Sequence, residues 1–168
     1  FNDNIRDSIK GGTFNPYDKG FVSGNRNAAS TLRRGIAGSV PHYQINDAKE
    51  ACWAFEPTQA VNYCEAHDNN TLWDKLCISA KNDSEGVRIK MDKLAAAIVI
   101  LSQGMPFIQL GQDFLRSKPR ILKEGEEPND VNIYSHDSYN APDYTNSIKW
   151  NRKFEYKEVF EYYKALIR

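Results

Sequence analysis

The clearest periodic signal lies in residues 84–104, where Val87, Met91, Leu94, Ile98 and Leu101 recur every three or four positions, the spacing of one apolar helical face. Asp83 or Ser84 stands at the N-cap, Ala95 and Ala97 permit a neighbour to approach closely, and Gly104 occupies the C′ position that favours glycine. Pro106 forbids continuation, so Phe107-Ile108-Gln109-Leu110 reads as a short apolar strand closed by Gly111. Phe154, Val159, Tyr162 or Tyr163 and Leu166 predict an amphipathic helix at the end of the chain. Ala28, Leu32 and Ile36 predict another, starting near Asn25 and closing at Gly38. Val61 and Tyr63 alternate with Asn62 and Cys64 as in a short strand, which stops at the turn signal Asp68-Asn69-Asn70. From Thr71 a helix can run to about Ser79. Residues 1–10 fit a strand or a helical turn equally well, with Ile5 and Ile9 four apart behind Asn2 and Asp3. Residues 13–25 read as a loop, and 39–56 as a polar, turn-rich approach to the central strand. Helix followed by strand, twice in succession, is the rhythm of a parallel α/β barrel.

At 168 residues the chain is shorter than the ~250 that a (β/α)₈ barrel typically needs. Twenty-two basic and 22 acidic residues cancel, which removes the electrostatic case for nucleic acid or an anionic membrane surface. A neutral polyol is compatible with that balance. Three Trp and nine Tyr contribute to an aromatic content of 12%; core filling explains most such rings, and flat platforms for sugars use others. Cys52, Cys64 and Cys77 are odd in number and lack metal-like spacing, so neither a closed disulfide set nor a zinc site is favoured. No apolar run reaches the ~18 residues of a membrane span.

The densest polar cluster is His67-Asp68-Asn69, directly after the predicted strand. Two readings compete. Asp68 or Asn69 can cap the following helix, with His67 a hydrogen-bonded rim residue. Alternatively the imidazole and carboxylate hold a polar substrate together, the carboxylate binding hydroxyls or stabilising developing positive charge.

The run Val61-Asn-Tyr-Cys-Glu-Ala-His-Asp-Asn-Asn-Thr-Leu-Trp-Asp74 resembles the fourth short motif of the alpha-amylase family of glycoside hydrolases, in the form found in type I pullulanases. Residues 104–116 are similar to that family's last barrel strand and its exit. Residues 138–143, with Trp150-Asn151, are similar to the loop that follows, and residues 1–11 and 20–25 match the pullulanase pattern as well. The resemblance implies a partial (β/α)₈ TIM barrel, α/β in class, comprising about strands 6 to 8 of the C-terminal half, with residues 1–168 one piece of a single catalytic domain and 116–146 a long substrate-side loop. It implies a retaining hydrolase of alpha-1,6 branch linkages in pullulan, amylopectin and related alpha-glucans, in which Asp68 stabilises the transition state and His67 contacts the sugar beside it. Asn69, Tyr139 and Asn140 are then substrate-binding, although a turn built on Asn-Ala-Pro accounts for Asn140 equally well. The family's nucleophile and acid motifs, Gly-Phe-Arg-(aromatic)-Asp and Glu-Gly-Trp, do not occur, so the chain alone is expected to be inactive.

The expected partners are an alpha-glucan and the remainder of the same barrel, with self-association through unpaired strand edges where that remainder is missing. No cofactor or metal ligand set is implied; calcium in the parent enzyme is not legible here, nor is an extracellular or cytoplasmic location. Gln112 and Asp113 read as capping, loop-bonding or supporting residues, His136 as a solvated loop histidine, and Arg6-Asp7 as an exposed ion pair. The alternatives are a non-catalytic alpha-glucan-binding module, or another alpha-amylase-family activity such as neopullulanase or isoamylase. The continuation Thr71-Leu72-Trp73-Asp74 favours type I pullulanase over these last two.

Overall fold

The computed structural model describes residues 1–45 and 52–168. The middle of the polar approach predicted over 39–56 lies outside the described residues. Among the described residues seven helices and two strands follow in the order α1 (Asp3–Lys10), α2 (Ala29–Ile36), β1 (Val61–Asn62), α3 (Leu72–Ser79), α4 (Glu85–Leu101), β2 (Met105–Pro106), α5 (Asp143–Asn146), α6 (Arg152–Glu155) and α7 (Lys157–Ile167), with 3₁₀ turns between them.

Within residues 1–10 the segment Asp3–Lys10 is a helix, set by a local cap and by a long-range anchor. The Asn2 side chain accepts the Ile5 N–H at 3.3 Å, and one apolar face carries Ile5 and Ile9 into the core. Asn2 also anchors α1 to the central strand, donating its backbone N–H to Val61 O at 2.8 Å and its amide to Asn62 Oδ1 at 3.0 Å.

β1 and β2 pair in parallel, Val61 opposite Met105 and Asn62 opposite Pro106; among the described residues this is a two-stranded sheet. The pairing falls two residues earlier than the apolar run 107–110 predicted. Ser102 ends α4 before Gly104 is reached, and Gly104 turns at φ +122° close against Ala60 O, where a Cβ would lie 2.7 Å away. That tight turn brings Met105 alongside Val61, and Phe107 N–H still reaches Asn62 O at 2.8 Å.

Two apolar clusters organise the helices around this ribbon. Ile5, Ile9, Val22, Leu32, Cys64, Leu72, Leu76, Ala95 and Val99 form one. Trp73, Ala96, Leu115, Val159 and Tyr163 form the other. Helix α4 serves both through Ala95 and Ala96, small side chains that let its backbone come close. Of its predicted face, Val87, Leu94 and Leu101 are exposed instead. The C-terminal amphipathic helix breaks at Tyr156 into α6 and α7; Val159 and Tyr163 are buried as predicted, whereas Phe154, ahead of the break, is exposed.

Candidate functional site

Beyond β1 the chain runs inward through the buried Cys64 and Glu65, then turns out at His67. The Thr71 hydroxyl caps α3 by accepting Asp74 N–H at 3.1 Å, and Glu65 Oε2 accepts Leu72 N–H at 2.6 Å. The helix N-terminus is therefore served without Asp68 or Asn69. Their side chains project from the turn: His67 Nε2 stands 3.5 Å from Asp68 Oδ2, with the two side chains 84% and 73% exposed. Asn69 adopts φ +61°, a left-handed geometry that asparagine tolerates better than most residues.

The backbone of this turn is held from both sides. In the amide orientation that satisfies its neighbours, Gln109 donates to Ala66 O and accepts His67 N–H at 3.2 Å. On the opposite side the Lys118 ammonium donates to His67 O at 2.9 Å and to the Ser138 hydroxyl at 3.2 Å. Asp74 on α3 receives Lys118 N–H at 2.8 Å and the Ser117 hydroxyl at 2.5 Å.

Lys118 is 1% exposed. Burial pulls its ammonium below the usual lysine range, against the favourable charge of Asp74. The Asp74 carboxyl is itself raised by burial to about 6, despite the bonds it accepts. Glu65 is pushed up by burial to about 7, opposed by the Leu72 N–H and by Lys10, whose own ammonium burial depresses.

Asp68 and Asn69 border a recess of about 100 Å³ that is also lined by Arg6, Lys10, Thr13 and Tyr63. The floor is set by Arg6, which donates to Asp7 at 2.7 and 3.0 Å, to Asp3 at 3.0 Å and to the Tyr63 hydroxyl at 2.8 Å. The expectation of an exposed Arg6-Asp7 pair is corrected on the arginine side: the Arg6 side chain is only 14% exposed, against 40% for Asp7, and it orders three side chains, Asp3, Asp7 and Tyr63. Tyr139 and Asn140 are both exposed, and Asn140 lines a separate recess of about 610 Å³ with Arg120, Tyr134 and His136. The predicted residues thus occupy two neighbouring loops, bridged by Lys118.

Sequence reasoning missed Lys118, Gln109 and the bracing role of Asp74. Lys118 sits in a charged loop that reads as solvated, and its partner on the turn is a backbone carbonyl 51 residues away, which leaves no side-chain pattern to find. Gln112, read as a capping, loop-bonding or supporting residue, is buried and donates to Cys64 Sγ and to the Tyr163 hydroxyl, both at 3.2 Å. Among the described residues no group of three His, Cys, Asp or Glu side chains is placed to hold a metal ion.

No protein-family model matches the chain. Pullulanase from Bacillus subtilis is 37% identical over 167 residues, 99% of this chain and 21% of that protein. A pullulanase from an Anoxybacillus species, solved with maltotriose, superposes at a TM-score of 0.79 with 39% identity over 99% of this chain and 20% of its own. Pullulanase from Paenibacillus barengoltzii, solved with maltohexaose and alpha-cyclodextrin, gives a TM-score of 0.80 and 37% identity over 99% of this chain and 23% of its own. The chain thus spans about a fifth of the length of the relatives it matches. In sequence and in backbone alike, it corresponds from end to end to a segment of pullulanases.

Proposed function

We propose that this chain works as part of a retaining glycoside hydrolase that cleaves alpha-1,6 linkages in pullulan, amylopectin and related alpha-glucans, with Asp68 as the carboxylate that stabilises the transition state. In this reading β1 and β2 are two parallel strands of a (β/α)₈ barrel, and Asp68 lies just past the carboxyl end of β1, the edge where barrel enzymes gather their chemistry. The observation that carries the reading is the disposition of Asp68: its carboxylate projects from a braced turn beside His67 while Thr71 and Glu65 serve the helix end.

Retaining glycosidases set a nucleophile and an acid about 5–5.5 Å apart around an oxocarbenium-like transition state. Those two groups come from outside this sequence, so the chain supplies stabilisation and binding rather than bond cleavage. His67 donates to a glucose hydroxyl beside the reacting ring, and Asp68 opposes the positive charge that develops there. Asn69 offers an amide from a left-handed turn, Tyr139 an exposed ring face and Asn140 a second amide. Support for an alpha-glucan ligand comes from the relatives solved with maltotriose, maltohexaose and alpha-cyclodextrin.

The test is Asp68→Asn in the full-length enzyme, assayed on pullulan. A group that acts mainly on the transition state shows in kcat more than in KM, and a loss of about 10²-fold or more in kcat is expected. Full turnover in that variant would remove Asp68 from the mechanism.

A further inference from the structure

We propose that Lys118 is a positioning residue, which sets the Asp68 carboxylate relative to the Tyr139-Asn140 loop by tying the carbonyl of His67 and the hydroxyl of Ser138 to one buried ammonium. The proposal rests on the role given to Asp68 above.

A lysine ammonium has three donors and no acceptor, and burying it is costly unless those donors are used. Here one goes to His67 O at 2.9 Å and another to Ser138 Oγ at 3.2 Å. An apolar side chain of similar volume would fill the same space at no desolvation cost, so a requirement for packing alone does not select lysine. What lysine adds is a link between two loops that share no backbone ladder. The stem cannot drift, because Asp74 holds its backbone N–H at 2.8 Å and the preceding Ser117 hydroxyl at 2.5 Å. Gln109 holds His67 N–H from the other side at 3.2 Å. Its N–H and its C=O are thus both bonded, which restrains the His67 backbone from two sides, and Asp68 follows it directly. Ser138 immediately precedes Tyr139, and its own carbonyl is held by Asn146 Nδ2 at 2.6 Å. The ammonium therefore couples a charge-stabilising turn to a sugar-binding loop.

The experiment is a double-mutant cycle in the full-length enzyme on pullulan. Lys118→Met keeps the stem and removes the ammonium. It is expected to lower kcat roughly 100-fold, the scale on which displacing a reacting group by about an ångström acts. Placed on Asp68→Asn, the same change is expected to lower kcat by no more than about twofold, because a residue acting through Asp68 has nothing left to position. Multiplicative losses, or a Lys118→Met enzyme with the parent's kcat, overturn the proposal while the role of Asp68 stands. Full activity in Asp68→Asn overturns both. Folding is checked by denaturant midpoint. If Lys118→Met does not fold, Ser138→Ala decides, since it cuts only the loop-side bond: a several-fold rise in KM with kcat kept supports the coupling, and an unchanged KM overturns it.

Discussion

Asp74, in the first turn of α3, accepts the backbone N–H of Lys118 at 2.8 Å from across the molecule, so a single buried carboxyl joins a helix start to the loop that braces the candidate site. Burial lifts that carboxyl from 3.8 to about 6, which means that the folded protein holds the proton more tightly than the unfolded chain. The resulting stability is fully present below the unfolded value and is lost as pH rises through about 6. Asp74→Asn has no proton to lose. Urea midpoints of the two proteins, compared at pH 4 and pH 8, should show the variant gaining on the parent by roughly 2 kcal/mol toward alkaline pH. An offset equal at both pH values would refute this account of Asp74.

Glycine substitutions should differ in sign by position. A Cβ on Gly35 would sit 2.7 Å from Ile5 Cβ, where α2 crosses α1, so Gly35→Ala is expected to destabilise by about 1–3 kcal/mol through overpacking. Gly86, in the first turn of α4, has nothing within 4 Å of its added Cβ. There the change to alanine should stabilise by up to about 1 kcal/mol. Equilibrium unfolding of the two variants measures both.

Asn69 separates backbone tolerance from ligand contact. Its φ of +61° suits glycine, so Asn69→Gly should leave stability within about 0.5 kcal/mol of the parent. Losing the amide should nevertheless raise KM for pullulan several-fold. Unaltered KM would take Asn69 out of the glucan contacts.

Tyr139 is 83% exposed, too open for its ring to matter to the core. Tyr139→Ala is therefore expected to leave the unfolding midpoint in place while weakening maltooligosaccharide binding roughly tenfold, with Tyr139→Phe retaining most of the affinity. Calorimetric titration of both variants distinguishes a sugar platform from an idle surface ring.

Short-range chemistry was enough to place most of the helices. Ser84 accepts Val87 N–H at 3.4 Å to open α4, and α3 begins where the sequence places it although Thr71, not Asp68 or Asn69, is its cap, since caps, turns and apolar spacing act within a few residues. The turn at Asp68-Asn69-Asn70 and the buried Cys64 follow from the same reach, as does the strand before His67, although it pairs only over Val61–Asn62 and not on to Cys64. Other features needed the whole fold. Residues 1–10 became a helix because Asn2 found both Ile5 and Asn62; Val87, Leu94 and Leu101 stayed outside because Ala95 and Ala96 made the closer contact; and the paired strand moved to Met105–Pro106 because Gly104 turns against Ala60. The candidate site divides along the same line. The side chains of His67, Asp68, Asn69, Tyr139 and Asn140 were legible as residue types in a motif, whereas the brace from Asp74 through Lys118 to His67 and Ser138 was not. Its bonds join residues far apart in the chain, those to Asp74 and His67 through a backbone atom, and only the folded packing that excludes water from Lys118 makes them strong.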